Sequence, residues 1–240
     1  MCVKVQQPAP RPKSLCGVTD SAKTSCGTLF VTFNGSPAIE TFPKMGSQGS
    51  CTSSFMSALG KVLSIALSWG VPAAAFVKPL QATSCPKHDK LFPTFDVVDG
   101  DIIEGEEKRP CCIAALGALI NDNINNSEEP VVSYPEEADA KTRFIPSGCG
   151  RLAVNVASIN GIPSIVSAET AAPGSCAAAI TVTLSRCISI ALLLGVPAAV
   201  IGKELIGIGC HQPKDECLSC IDGIGLALLG KKRERGEISG

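Results

Sequence analysis

The chain has 240 residues, of which 45% are apolar and only 4% aromatic, and its formal net charge is -1. This length and hydrophobicity provide for one large domain or two smaller ones with an aliphatic core, and they exclude a chain that is disordered throughout. The near-zero net charge argues against a broad nucleic-acid surface, which carries a basic excess, so we expect no nucleic-acid partner.

The first predicted elements are two strands joined by a turn. Residues 28–33 alternate in a way that is typical of a half-buried strand. Asn34 and Gly35 follow as a strong hairpin signal, and residues 38–42 supply the returning strand.

Three helices are expected after these strands. The segment 51–69 places its apolar residues at helical spacing, and Gly70 is suited to end that helix. Pro72 fits the first turn of a second, short helix, and Cys112 starts a third one.

The second half of the chain repeats this pattern. Residues 51–85 align with residues 176–210 without a gap, and the run GVPAA is the same in both. The match continues upstream and downstream, although the first copy has a much longer loop at 86–110. Such self-similarity indicates a duplication. We therefore predict an α+β fold of two tandem repeats, each a β-hairpin covered by two or three helices.

Polar segments bound the two repeats. We assign the repeats to residues 11–121 and 143–231. Residues 122–142 are polar and mainly acidic, which predicts a linker, and the charged residues 232–240 predict a disordered tail.

One apolar segment, residues 187–202, invites comparison with a membrane span. It is bounded by Arg186 and Lys203 and interrupted by Gly195 and Pro197. A spanning helix needs about 20 apolar residues. We therefore expect buried helices here, and no membrane partner.

Cysteines are the most informative residues of this sequence. The first residues carry no apolar run, so we expect no secretory signal and a cytoplasmic location, where cysteine clusters more often bind metal or do redox work than form disulfides. Of the thirteen cysteines, four in each repeat occupy matching positions. The matched cysteines are Cys26, Cys51, Cys85 and Cys112 in the first repeat, and Cys149, Cys176, Cys210 and Cys220 in the second.

These matched cysteines predict one tetrahedral four-thiolate zinc site in each repeat. Two of the four stand at predicted helix starts, where the helix dipole favours the thiolate that a metal requires. An iron–sulfur cluster makes the same demand on ligands. Small buried cysteines can also serve only to fill a core. Spacing does not decide between these alternatives, because the paired CxxC motifs of common zinc sites are missing.

Thiol–disulfide chemistry is a further alternative. Its candidates are the neighbouring pair Cys111 and Cys112, and the pair Cys217 and Cys220, which forms a CxxC motif. Neighbouring cysteines bridge only with strain, and Cys217 has no counterpart in the first repeat.

Other polar groups are expected to be solvated. His88 and His211 both follow the third cysteine of their repeat, but at different distances, and we expect loop residues rather than ligands. The acidic segment 99–107 lies in the loop that the second repeat lacks, so we expect it to face solvent rather than to bind a cation.

Several motifs resemble the TSCPD domain, a region that follows the catalytic barrel of adenosylcobalamin-dependent (class II) ribonucleotide reductases. The entry RPKSLCGVTDSAKTSCGTLFVTFNG resembles the start of that region, and GSC before each long helix resembles its second cysteine. The third and fourth cysteines have counterparts in TSCP at 83–86 and SCIDGIG at 219–225. The resemblance covers nearly the whole chain, twice.

The resemblance implies a metal-binding module that accompanies a reductase catalytic chain, as an accessory or interaction unit or as a thiol electron donor. By resemblance the chain is related to the vitamin B12-dependent ribonucleoside-diphosphate reductases. Their barrel and their C-terminal redox cysteines are absent here, so we do not expect reductase activity from this chain alone. The final motif has lost its proline in both repeats, and its aspartate remains only as Asp222.

Overall fold

The computed structural model describes residues 8–46, 50–86, 91–98, 101–123, 129–170 and 174–233, with side chains outside 95–104. Cys2 and His88 lie outside the described residues. The strands are β1 (Gly17–Thr24), β2 (Gly27–Gly35), β3 (Ala38–Lys44), β4 (Leu91–Val98), β5 (Asp101–Lys108), β6 (Asp139–Ser147), β7 (Gly150–Ile159) and β8 (Ile162–Thr170). The helices are α1 (Cys51–Ser68), α2 (Ala74–Gln81), α3 (Cys112–Asn123), α4 (Cys176–Leu193), α5 (Ala198–Leu205) and α6 (Cys220–Leu228).

Each repeat is an antiparallel three-stranded sheet followed by a long helix, a short helix and a third helix. The strand orders are β1-β2-β3 and β6-β7-β8, and the antiparallel pair β4-β5 occupies the longer loop of the first repeat. The predicted α+β fold of two tandem repeats is confirmed. Each predicted hairpin has one further strand before it, β1 or β6, whose mostly exposed side chains gave no apolar signal.

Parts of the predicted linker and of the predicted disordered tail take part in the fold. Strand β6 begins at Asp139, inside the predicted linker, because an edge strand is held by backbone pairing and can carry charged side chains on its exposed face. Arg233, at the start of the predicted tail, forms an ion pair with the buried Asp222. The rest of that tail lies outside the described residues.

The long helices begin and end where the sequence predicts. The hydroxyls of Ser50 and Ser175 each accept a hydrogen bond from the backbone N–H three residues ahead, at 3.2 and 3.1 Å. Both helices end just before a glycine with positive φ, Gly70 at 79° and Gly195 at 99°. These local signals explain why both helix bounds are readable from sequence.

A serine in the middle of each long helix joins that helix to the edge strand of its sheet. Ser64 Oγ accepts a hydrogen bond from Thr41 N at 2.9 Å and donates one to Thr41 O at 3.1 Å. Ser189 Oγ bonds Val166 N and O in the same way, at 2.9 and 3.0 Å. The serine thus satisfies both backbone groups that β3 or β8 turns away from its sheet.

We expect Ser189→Ala to lower the free energy of unfolding by about 1–3 kcal/mol, because it leaves the buried N–H and C=O of Val166 without a partner. Urea unfolding would measure this. The matched control is Ser185→Ala in the same helix, whose hydroxyl donates to the helix carbonyl of Thr181 at 2.7 Å and to no strand among the described residues. Equal effects of the two substitutions would contradict a special role for Ser189.

The two repeats share one hydrophobic core. Helix α1 packs on β3 of its own sheet and also contacts α4 and α5 of the second repeat. Helix α4 packs on β8 and contacts α2 of the first repeat. Fully buried side chains of both long helices, including Phe55, Leu59, Leu184 and Ile188, belong to this single core. Each long helix therefore lies between its own sheet and the other repeat.

Helices α1 and α4 are each long and apolar enough to cross a membrane, judged by length and composition alone. In the fold, 50% of α1 and 61% of α4 are buried inside the protein, as in the core helices of a soluble α+β domain. The apolar segment 187–202 is not one helix, since α4 ends at Leu193 and α5 begins at Ala198.

Candidate metal centre

Cys26 and Cys149 occupy matching hairpin turns, β1–β2 and β6–β7. In each turn a hydroxyl, from Thr24 or Ser147, donates to the carbonyl of the glycine after the cysteine, at 2.6 and 2.8 Å. That glycine has a φ of 123° in the first turn and 101° in the second, which other residues adopt only with strain. The Cys-Gly pair therefore places a thiol at the tip of a tight turn.

The remaining matched cysteines stand at helix starts or in loops. Cys51, Cys112, Cys176 and Cys220 are the first residues of α1, α3, α4 and α6, and Cys85 and Cys210 lie in the loops after α2 and α5. At a helix start the unpaired backbone N–H groups favour a negatively charged ligand atom.

The structure brings together cysteines from different repeats. The thiol of Cys51 interacts with those of Cys149 and Cys210, and the thiol of Cys220 interacts with the same two. We call these four residues the mixed cluster. Here the structure differs from the sequence prediction, which placed Cys51 in a site with cysteines of its own repeat.

The position of α1 explains why Cys51 joins the other repeat. Ser54, one turn into α1, donates a hydrogen bond to the carbonyl of Gly209 at 2.6 Å. This bond holds the start of α1 against the loop that carries Cys210. The same loop also lies close to the β6–β7 turn, because a Cβ on Gly148 would come within 2.0 Å of Gln212 O.

The mixed cluster surrounds a small cavity. Its volume is about 30 Å³, and all four thiols of the cluster line it together with apolar side chains such as Ile180 and Ile221. A water-sized particle needs at least about 10–15 Å³, whereas sites for small organic molecules measure about 300–1,000 Å³. The cavity thus has the size of one small ion, and four cysteines line it.

Burial keeps the thiols of Cys51 and Cys220 protonated when no cation is nearby. It raises the pKa of Cys51 to about 12, with a further contribution from Cys149 and Cys210, and it raises the pKa of Cys220 to about 11. A bound cation reverses this preference, because a coordinated thiol loses its proton. Metal binding at this cluster would therefore release protons.

His211 is an exposed loop residue, as the sequence predicts, but it also lies beside the mixed cluster. Its Nδ1 is 3.5 Å from Cys51 Sγ, although the ring is exposed. One ligand atom each from Cys51, Cys210 and His211 fall within 4.8 Å of one another. The sequence shows that His211 directly follows Cys210. It does not show that α1 places Cys51 next to this histidine, and that contact is what makes His211 a candidate ligand.

A second group of cysteines forms within the first repeat. Cys112 interacts with Cys26, Cys85 and Cys111, and Cys111 also interacts with Cys85. We call these four residues the first-repeat cluster. Cys176, the counterpart of Cys51, is half-buried and is the first residue of α4. Ser175, the N-cap of that helix, lines a surface groove together with Cys85.

The pKa values of the two neighbouring cysteines of the first-repeat cluster shift in opposite directions. A hydrogen bond from Cys112, together with the backbone N–H groups of Ile113 and Ala114, lowers the pKa of Cys111 to about 6 although burial opposes this. The same interaction with Cys111 raises the pKa of Cys112. In the other proposed redox pair, burial raises the pKa of Cys217 to about 12, and its thiol donates to Pro146 O at 3.2 Å.

Comparison with known families agrees with this repeated architecture. The family model of the TSCPD domain matches residues 4–123 and again residues 129–230. The chain belongs to the TSCPD domain family. No curated protein and no solved structure matches the chain.

The two TSCPD repeats differ in how the loop between the third and fourth cysteines is held. In the second repeat the buried carboxylate of Asp222 accepts hydrogen bonds from Gly207 N at 2.8 Å and Leu218 N at 3.0 Å. It also pairs with Arg233 at 2.8 Å. Asp222 therefore ties together both ends of the loop that carries Cys210. The equivalent position of the first TSCPD repeat is Ala114, which cannot do this.

We expect Asp222→Ala to lower the free energy of unfolding by about 3–5 kcal/mol, because it leaves the buried Arg233 unpaired and two backbone N–H groups unsatisfied. Denaturant unfolding would measure the change. Asp215→Ala, at an exposed position of the same loop, is the control and should stay within about 0.5 kcal/mol of the parent protein. An equally small effect at Asp222 would contradict its structural role.

Proposed function

We propose that this TSCPD protein binds two zinc ions at four-thiolate centres and serves as an accessory or interaction unit in ribonucleotide reduction, without catalysing that reaction by itself. The observation that carries the metal proposal is the mixed cluster. Four cysteines from distant parts of the chain line a cavity of about 30 Å³ there, and ligand atoms of Cys51, Cys210 and His211 lie within 4.8 Å of one another.

The chemistry of the donors favours zinc. Four thiolates in a closed tetrahedral arrangement are the ligand set of structural zinc sites, whereas a catalytic site keeps one position open for water or substrate. An iron–sulfur cluster needs four cysteines as well, but its several iron and sulfide ions do not fit a cavity the size of one ion. Zinc bound in this way can contribute on the order of 10 kcal/mol to folding.

Metal content is the direct test. We expect about two zinc ions per chain in protein purified without chelator, measured by plasma mass spectrometry. Serine substitution of Cys26, Cys51, Cys149 and Cys176 together should remove both, and Cys16→Ser, at an exposed cysteine without a repeat counterpart, should remove neither. A folded protein that carries no metal, and in which all thirteen cysteines react as thiols, would rule out the zinc centres.

A thiol redox role is the second candidate, and it is favoured by Cys111. Its lowered pKa and its interactions with Cys85 and Cys112 favour a thiolate near two further sulfurs. This role requires reversible loss of two thiols with a mild oxidant while the fold survives. In the zinc-loaded protein we expect such oxidation to be suppressed, since coordinated thiolates are occupied.

The link to ribonucleotide reduction is supported by the motifs of the sequence, and its partner would be a reductase catalytic chain. We expect the zinc-loaded protein to bind a class II catalytic chain that lacks this module, with binding weakened at least tenfold after zinc removal. Calorimetry or surface binding would measure it, with the Cys16→Ser variant as a control. Absence of binding by zinc-loaded protein would leave a metal module without this partner.

A further inference from the structure

We propose that the two repeats exchange one cysteine each, so that both metal centres are built from both repeats and fasten one repeat to the other. Cys51 completes Cys149, Cys210 and Cys220, and in return Cys176 completes Cys26, Cys85 and Cys112. This inference rests on the proposed metal binding. It adds the grouping of the ligands into two centres and the role of the metal in holding the two repeats together.

The first half of the exchange follows from the described contacts of Cys51. Its thiol lies with those of Cys149 and Cys210, and it lines the same cavity as Cys220. Cys176 does not line this cavity, although Ala177 beside it does. The centre in the second repeat therefore takes its fourth sulfur from α1 and not from its own long helix.

The second half follows from the reciprocal packing of the long helices. Helix α1 contacts α5 of the second repeat, and α4 contacts the equivalent helix α2 of the first. Hydrogen bonds cross the boundary on both sides, from Ser54 to Gly209 at 2.6 Å and between Thr83 and Thr183 at 2.9 Å. Each long helix is thus packed against the short helix of the other repeat and bonded to the loop that follows that short helix.

Two surface grooves show the same correspondence. One groove is lined by Cys210 and by Ser53 in the first turn of α1. The other is lined by Cys85 and by Ser175, the cap of α4. Ser175, the residue before Cys176, therefore shares a groove with Cys85 as Ser53, near Cys51, shares one with Cys210. Cys111, which has no cysteine counterpart in the second repeat, also lies in the first-repeat cluster and competes with Cys176 for the place of fourth ligand.

Metal at such centres would connect the repeats by coordinate bonds in addition to their shared core. A bound ion that is present only when both repeats are in place stabilises their association by mass action. Removal of the metal should then loosen the contact between the repeats more than it loosens either sheet.

Zinc stoichiometry of paired variants of the full chain tests the exchange. Two substitutions in one centre remove one zinc, whereas one substitution in each centre removes both. We expect Cys51→Ser combined with Cys149→Ser to leave one zinc, and Cys51→Ser combined with Cys26→Ser to leave none. Likewise Cys176→Ser with Cys26→Ser should leave one, and Cys176→Ser with Cys149→Ser none. Circular dichroism would establish that each variant is folded.

The outcomes separate this inference from the proposed function. Two zinc ions in the parent chain with the opposite pattern, one lost from Cys26 with Cys51 and two from Cys51 with Cys149, would overturn the exchange and keep the metal function. If Cys111→Ser removes a zinc and Cys176→Ser does not, the exchange is not reciprocal and the inference fails. A parent chain without metal would overturn both.

A second measurement does not depend on folding of cysteine variants. A protease site is inserted within residues 130–136, which lack regular secondary structure and are mostly exposed, and the full chain is cleaved after purification. We expect the two fragments to elute together, and the urea concentration that separates them to fall when zinc is removed by chelation. Separation at the same urea concentration with and without bound zinc would overturn the fastening role.

Discussion

The packing of each long helix across the boundary between the repeats is the constraint on which the rest of this structure depends. Helix α1 has its own sheet on one side and α4 and α5 on another, and α4 is placed equivalently. Both helices are apolar around most of their surface, so they can be buried on several sides at once. One aliphatic core results, and neither repeat encloses its helix alone.

The candidate metal centre is a consequence of that packing. The second repeat contributes three of its cysteines, from the β6–β7 turn, the loop after α5 and the start of α6. The first repeat contributes the fourth cysteine, from the start of α1. Local hydrogen bonds fix each contribution: Ser147 closes the turn, Ser54 holds α1 to the loop, and Asp222 ties the ends of the loop together. The first repeat lacks the aspartate and has Cys111 nearby, so its cluster is chemically different.

Local elements were largely readable from the sequence. Serine caps and the glycines after them bound both long helices, and the apolar stripe of residues 51–69 corresponds to α1. Strands β1 and β6 were missed because their side chains are mostly polar and exposed, and hairpin pairing in β4–β5 was read only as a loop. Arg233 was assigned to the tail because it belongs to a charged segment. The sequence does not show that Asp222 is fully buried and takes Arg233 as its ion-pair partner.

The sequence by itself determined the duplication, the eight matched cysteines and the local positions of those cysteines in turns, loops and helix starts, because these depend on neighbouring residues. Only the tertiary structure decided which thiols meet. Both long helices begin with a cysteine. The spacing of cysteines along the sequence therefore cannot distinguish a site within one repeat from a site shared by two. Burial of α1 and α4 against the opposite repeat makes that choice, and with it brings His211 to Cys51.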